Sequence, residues 1–197
     1  MIIRTIIVAA VASLSIAGTG FGDWGPTPVS TSNELTATDG SGYDFFGSSV
    51  AIDGDICVIG ASGTNSYTGS AYVFTNPGGT WSQAAELTAT DGASYDFFGS
   101  SVAIDGDTCV IGASGTNSNT GSAYIFTNTG GTWSQVAELT ASDGASYDFF
   151  GDRVAIDGDT CVIGASGTNS FTGSAYVFTN TGGTWSQVAE LTASDGA

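Results

Sequence analysis

The side chains in this chain that could do chemistry are carboxylates, tyrosines and three cysteines, and they recur at a fixed spacing. Nineteen Asp and Glu stand against two basic residues, Arg4 and Arg153, with no His and no Lys in 197 residues. Without an imidazole or an amine there is no base for a Ser-His or Cys-His nucleophile and no Schiff-base lysine. Carboxylate pairs of the glycosidase kind are the remaining catalytic option. The acidic residues sit at repeated positions, so no single pair has a distinct address, and the chain reads as a non-enzyme. Asp44, Asp96 and Asp148 each follow a tyrosine (Tyr43, Tyr95, Tyr147) at intervals of 52 residues. Aromatic rings beside carboxylates suit sugars or a basic protein partner. The formal net charge of −17 repels phosphate backbones and anionic lipid, which argues against nucleic-acid binding.

Cys57, Cys109 and Cys161 keep the same interval of 52, each opening a Cys-Val-Ile run. They read as small apolar side chains buried at one place in successive units. A disulfide needs Cα atoms within about 7 Å, which equivalent positions of neighbouring units do not offer.

The elements that position these residues follow from the repeat. Aligning Phe45-Phe46-Gly47, Phe97-Phe98-Gly99 and Phe149-Phe150-Gly151 gives a period of 52 without gaps. In the first unit, Ser48–Asp53 alternates like a half-buried strand and Asp53-Gly54-Asp55 is a hairpin signal. Ile56–Ala61 is a continuous apolar run, and Ser62–Gly69 reads as a polar loop. Ser70–Thr75 supplies a third strand, Asn76-Pro77-Gly78-Gly79 a turn, and Thr80–Thr90, led by Trp81, a fourth strand. No segment has capped helical periodicity. The fold class is therefore all-β: a β-propeller of four-stranded antiparallel blades, one per 52-residue repeat. Gly47 and Gly60-Ala61 keep the strands thin where blades converge, and Phe46 and Trp81 fill the wedge between them.

The N-terminus has the form of a secretory signal over residues 1–22: Arg4, an apolar stretch from Ile6 to Ala17, then small residues. This implies a secreted or cell-surface protein with no membrane insertion of the mature chain. Residues 23–46 form a linker that includes a lone fourth strand at Glu34–Thr38, matching Glu86–Thr90. Residues 47–98, 99–150 and 151–197 are three complete blades. Three blades fall short of the usual four to eight, so the ring is incomplete. A homo-oligomer or further C-terminal blades would complete it.

The stretches Phe46-Gly47-Ser48-Ser49-Val50-Ala51-Ile52-Asp53-Gly54-Asp55, Val58-Ile59-Gly60-Ala61 and Gly69-Ser70-Ala71-Tyr72-Val73-Phe74 resemble the FG-GAP repeat of integrin α-chain propellers and bacterial secreted proteins. The resemblance spans residues 34–197 three times over. Kelch repeats share the period and a Gly-Gly-x-Trp element, but place it after the second strand rather than the third. The resemblance implies a propeller used for adhesion or binding. In many FG-GAP repeats a calcium loop of the form Asp-x-Asp-x-Asp-Gly joins strands one and two. Here that loop is only Asp-Gly-Asp (53–55, 105–107, 157–159), too short to supply six to eight oxygens to calcium, so no cofactor is expected.

In such a blade the connections between strands two and three, and between strand four and the next blade, share one end of the array, and these longer loops are where propellers bind. The position held by Tyr67, Asn119 and Phe171 is among the few that vary between copies. Together with Tyr43, Asp44, Tyr95, Asp96, Tyr147 and Asp148 it forms the candidate ligand surface. The expected function is a binding or adhesion scaffold recognising an extracellular protein or glycan. The alternatives are a self-assembling surface protein without a specific ligand and, more distantly, a carboxylate-dependent glycosidase.

Overall fold

The computed structural model describes residues 34–194; the segment read as a signal sequence lies outside them. Twelve strands form three separate four-stranded antiparallel sheets, each in simple up-and-down order. Blade 1 holds β1 (Ser49–Asp53), β2 (Ile56–Ala61), β3 (Ser70–Thr75) and β4 (Ser82–Leu87). Blade 2 holds β5 (Ser101–Asp105), β6 (Thr108–Ala113), β7 (Ser122–Thr129) and β8 (Thr132–Leu139). Blade 3 holds β9 (Phe150–Asp157), β10 (Thr160–Ala165), β11 (Ser174–Thr181) and β12 (Thr184–Thr192). The sheets are not closed into a ring.

Each sheet is apolar on both faces, with unequal side chains. Toward blade 1, blade 2 presents Val102, Ile104, Cys109, Ile111, Tyr124 and Phe126. Blade 1 answers with the smaller Val58, Ala71 and Val73, and with Leu87. The second junction repeats this, with Val110, Ala123, Ile125 and Leu139 against Cys161, Ile163, Tyr176 and Phe178. Phe98, near the end of the connection entering blade 2, is fully buried in the first junction. Its ring lies 5.5 Å from Tyr124 and edge-on 5.9 Å from Phe126. Phe150 and Phe46 take the same position on blades 3 and 1. Trp81, Trp133 and Trp185 pack along the edges of these clusters.

The backbones touch at the glycines. A Cβ at Gly60 would collide with the Gly99 carbonyl, and one at Gly112 with the Gly151 carbonyl. Glycine there lets a central strand of one blade meet the start of the next, as the sequence pattern implies.

Four details depart from the sequence reading. Residues 34–38 do not form a strand. Their counterpart Leu87 is laddered to Ala71 of β3, whereas Leu35 has no third strand beside it; it packs with Ala37 on the core of blade 1 instead. Secondly, the fourth strand of blade 1 is shorter than Thr80–Thr90. In blade 2 the hairpin continues through the pairs Asn128↔Trp133 and Thr129↔Thr132, and Pro77, standing where Thr129 is, has no N–H for the last rung. Asn76 Oδ1 is left buried without a partner, while Asn128 Oδ1 accepts from Gly131 N at 2.9 Å. Thirdly, the polar loop after β2 contains a turn of left-handed helix. Finally, Val50 is 68% exposed although its equivalent Val102 is 7% exposed, because among the described residues no sheet covers that side of blade 1.

Filling the backbone contact should cost more than filling open space. Gly112→Ala is expected to destabilise by about 3 kcal/mol through overpacking against main chain, and Phe98→Ala by about 3–5 kcal/mol through loss of a buried ring. Gly42→Ala, with no heavy atom within 4 Å of the new Cβ, should be near neutral. Denaturant midpoints order these variants, and a Gly112→Ala midpoint equal to that of Gly42→Ala would contradict the junction geometry.

Candidate functional site

The candidate residues gather at one end of the array, on two kinds of connection. The first follows the second strand of each blade. Asn65, Ser66 and Tyr67 all have φ between 48° and 65°, and Asn117-Ser118-Asn119 and Asn169-Ser170-Phe171 repeat this. Three consecutive L-residues in this region cost roughly 1–2 kcal/mol each. The turn is held by a relay of hydroxyls at its base: Thr64 donates to Ser70 Oγ (3.0 Å), which donates to Glu86 Oε1 (2.8 Å). Equivalent relays run through Thr116, Ser122 and Glu138, and through Thr168, Ser174 and Glu190.

The second connection leads into the next blade. Tyr95 (φ 72°) and Phe97 (φ 57°) are also left-handed, and Asp96 between them is buried. Its carboxylate accepts from Ala93 N at 2.6 Å and its carbonyl from Gly115 N at 3.0 Å. Burial raises the Asp96 pKa, with nearby Asp91 adding to the rise and the Ala93 hydrogen bond opposing it. Asp148 is buried and accepts from Ala145 N in the same way. Asp44, half-buried, accepts from Ser41 N. All three candidate aspartates therefore hold the loop in shape, and the groups that reach solvent are the rings.

The two connections dock on each other across each junction. Tyr95, Phe97 and Phe98 N–H donate to the Ser66, Tyr67 and Thr68 carbonyls at 3.3, 2.9 and 3.0 Å. The rings follow: Tyr67 stacks on Tyr95 with centroids 5.6 Å apart and planes within 13°, and Tyr67 also contacts Phe97 at 5.5 Å. At the next junction Asn119 occupies the place of Tyr67, so the Tyr147 ring has no such stacking partner; stacked Tyr95 and unstacked Tyr147 are nonetheless equally exposed, at 62% and 61%. Phe171 and Tyr43 are exposed at the two ends of the array. The structure thus brings Tyr67 and Tyr95 together and Asn119 beside Tyr147, with Tyr43 and Phe171 at opposite ends.

The nine predicted residues omit several that the geometry uses. Tyr72, Tyr124 and Tyr176 lie beneath this face, where burial first and then nearby carboxylates, Asp39, Asp91 and Asp143 among them, raise their pKa. A cavity of about 230 Å³ is lined by Asp39, Ser41, Asp44, Thr64, Asn65, Tyr72 and Glu86. The triple recurrence of Tyr in the third strand was the available signal. Among the described residues no group of three or more His, Cys, Asp or Glu is arranged to hold a metal ion. At the opposite end, Asp53 and Asp105 of the Asp-Gly-Asp hairpins accept from Gly106 N and Gly158 N of the following blade. They latch neighbouring blades in addition to shaping a turn.

A family model described as the FG-GAP repeat matches residues 29–74, 81–126 and 133–178. The chain belongs to the FG-GAP repeat family. The second and third FG-GAP matches begin at the fourth strand of one blade and end on the third strand of the next. The family unit therefore spans a junction, including the connection into a blade and the turn after its second strand. No curated protein sequence matches the chain. Among solved structures, Sqt1 of Saccharomyces cerevisiae is similar at 12% identity and a TM-score of 0.50, over 77% of this chain and 37% of that one. Sqt1 of Chaetomium thermophilum is similar at 16% and 0.50, over 77% and 36%. At such identity the likeness shows the fold alone, and this FG-GAP chain spans little more than a third of their length. Among the described residues no helix is long and apolar enough to cross a membrane.

Two outcomes follow from this geometry. Ser118 is exposed with φ 64°, so Ser118→Val should cost about 1–2 kcal/mol while Ser118→Gly is neutral or stabilising. Melting temperatures that rank the two variants the other way would contradict the left-handed turn. The second concerns alkali. Burial pushes Cys109 and Cys161 from 9.0 up to about 12, and burial together with nearby carboxylates pushes the buried tyrosines above 10.0. Acids whose folded pKa lies above the unfolded value keep the folded state richer in protons. Stability should then hold below about pH 9 and fall as the pH climbs toward the folded values. A denaturation midpoint unchanged between pH 8 and pH 11 would contradict this.

Proposed function

We propose that this FG-GAP array is an extracellular binding scaffold that takes a protein or glycan on the face formed by its strand-two-to-three turns and its inter-blade connections. The supporting observation is the row of aromatic rings there. Tyr95 and Tyr147 stand well into solvent on backbone held in an uncommon conformation at both connections. Left-handed non-glycine residues concentrate at ligand clamps and other functional loops because the surrounding structure must maintain them. A flat exposed ring beside the Asn119 amide suits the apolar face and the hydroxyls of a sugar.

Binding fits this surface better than catalysis. The three thiols are buried, and burial raises the pKa of each, which leaves little thiolate for nucleophilic attack. The aspartates of the face are already engaged with backbone N–H groups. Export is supported by Arg4 and the apolar Ile6–Ala17 stretch. Protein recovered from the medium should begin after residue 22, and a mature chain that retains Arg4 speaks against a cleaved signal.

A glycan array and a pull-down from extracellular extracts test the ligand. Loss of one well-packed ring is expected to weaken binding by about tenfold or more, equivalent to about 1.4 kcal/mol, for Tyr147→Ala and Tyr95→Ala. Asp55→Asn, on the hairpin at the far end, should leave binding unchanged. If Tyr147→Ala and Tyr95→Ala both bind as tightly as the unaltered chain, or if that chain captures nothing, the assignment of this face fails.

A further inference from the structure

Both described junctions are built from the same two halves, and among the described residues the outer sides of blades 1 and 3 carry one half each without a facing sheet. We propose that a second copy of this chain docks head to tail, with its blade 1 seated on blade 3 of the first. The apolar halves match. The first strand of each blade lies against the first two strands of the blade before it: β5 against β1 and β2, β9 against β5 and β6. The same step places a further first strand on β9 and β10. A shallow groove of about 340 Å³ lies there, lined by Ala155, Ile156, Asp157, Thr160 and Val162. The matching strand is β1, whose Val50 and Ile52 are exposed while their equivalents Val102 and Ile104 are buried at the first junction.

The polar halves match as well. Asp53 and Asp105 each accept from a hairpin glycine of the next blade, which leaves Asp157 at one end and Gly54 N at the other. Among the described residues, the Ser170, Phe171 and Thr172 carbonyls receive no backbone N–H, and the Tyr43, Phe45 and Phe46 N–H groups find no backbone carbonyl. Their equivalents bond to each other at both internal junctions. Tyr43 is 83% exposed and Phe171 is 73% exposed. They are the separated halves of the stack that Tyr67 and Tyr95 complete.

One segment must yield. Thr38 N donates to Gln83 as Thr90 N donates to Gln135. Residues 34–38 of the second copy and 190–194 of the first therefore claim one place. Leu191 and Thr192 are laddered to Ala175 and Ser174, whereas residues 34–37 have no ladder, so the leading segment gives way. Arg153 is a departure from the internal template, standing where Ser101 accepts from Val154 N. Two copies of the described three-sheet array, joined at both junctions, bring six blades together, within the range in which such rings close.

Sedimentation velocity at tens of micromolar, in salt above about 0.15 M to screen the acidic chains, should give twice the chain mass. Ile52→Asp and Val162→Asp alter exposed residues on opposite end faces, so each should keep the far-ultraviolet circular-dichroism spectrum of the unaltered chain, while melting lower only by what association contributes. Each alone should be monomeric, because it disables both junctions of a closed pair. An equimolar mixture should recover a dimer, since one variant keeps its head and the other its tail. Arg153→Ser should tighten association several-fold. A monomeric unaltered chain, a variant that still dimerises alone, or a mixture that stays monomeric overturns the proposal. None of these readings depends on whether the loop face binds a ligand.

Discussion

A four-stranded sheet that is apolar on both faces cannot satisfy itself, and the rest of this structure depends on how one sheet covers the next. The contact is asymmetric. One face carries Ile111, Tyr124 and Phe126, the other Val58, Ala71 and Val73, so large side chains meet small ones. Phe98 fills what remains. The asymmetry gives the array a direction, because a face of large residues cannot pack equally well on its own kind. At the point of closest approach there is no room for any side chain, which places Gly60 against Gly99 and Gly112 against Gly151. Sequence, backbone thickness and blade direction are in this sense one constraint.

The strained loops meet at that contact. Left-handed Asn65-Ser66-Tyr67 and Tyr95-x-Phe97 are each other's hydrogen-bond partners across the junction. Asn169-Ser170-Phe171 and Tyr43-x-Phe45 keep the same conformation without such partners among the described residues, so local bonds such as the Thr64–Ser70–Glu86 relay shape the turns and the inter-blade bonds add to them. This places the exposed rings on a surface as rigid as the junction itself, and a ligand that met them would lose little to the ordering of loops.

What was legible in the sequence was whatever obeys a local rule. The period, the three hairpin turns of Asp-Gly-Asp, the apolar central strands and the glycine-thin junction all follow from residue types read a few positions at a time. What was not legible depends on partners about 50 residues away. Glu34-Leu35 matches the last two residues of β4, Glu86-Leu87, yet it is not strand, since a strand is defined by its neighbour and Leu35 has no β3 beside it. The carboxylate of Asp53 reads as a turn former until Gly106 is placed opposite it. Asp96 reads as a solvent-facing acid beside Tyr95, but the loop folds its carboxylate inward onto Ala93 N. In each case the residue type was compatible with both outcomes, and the partner in space decides: an absent third strand for Leu35, the next blade for Asp53, and an N–H of the same loop for Asp96.

The position held by Tyr67, Asn119 and Phe171 shows how the two roles of the loop face compete. An aromatic there can stack on the tyrosine of the next connection, as Tyr67 does on Tyr95, a pairing worth about 0.5–1.5 kcal/mol beyond the area it buries. Asparagine forgoes that gain. It tolerates the left-handed backbone better than a bulky residue does, and it leaves one face of Tyr147 open. A single side chain therefore determines whether a junction presents its exposed tyrosine as a stacked pair, as at Tyr95, or as a lone ring, as at Tyr147. Within a scaffold whose repeats are otherwise nearly the same, that is enough to make one junction differ from its neighbour in what it can bind.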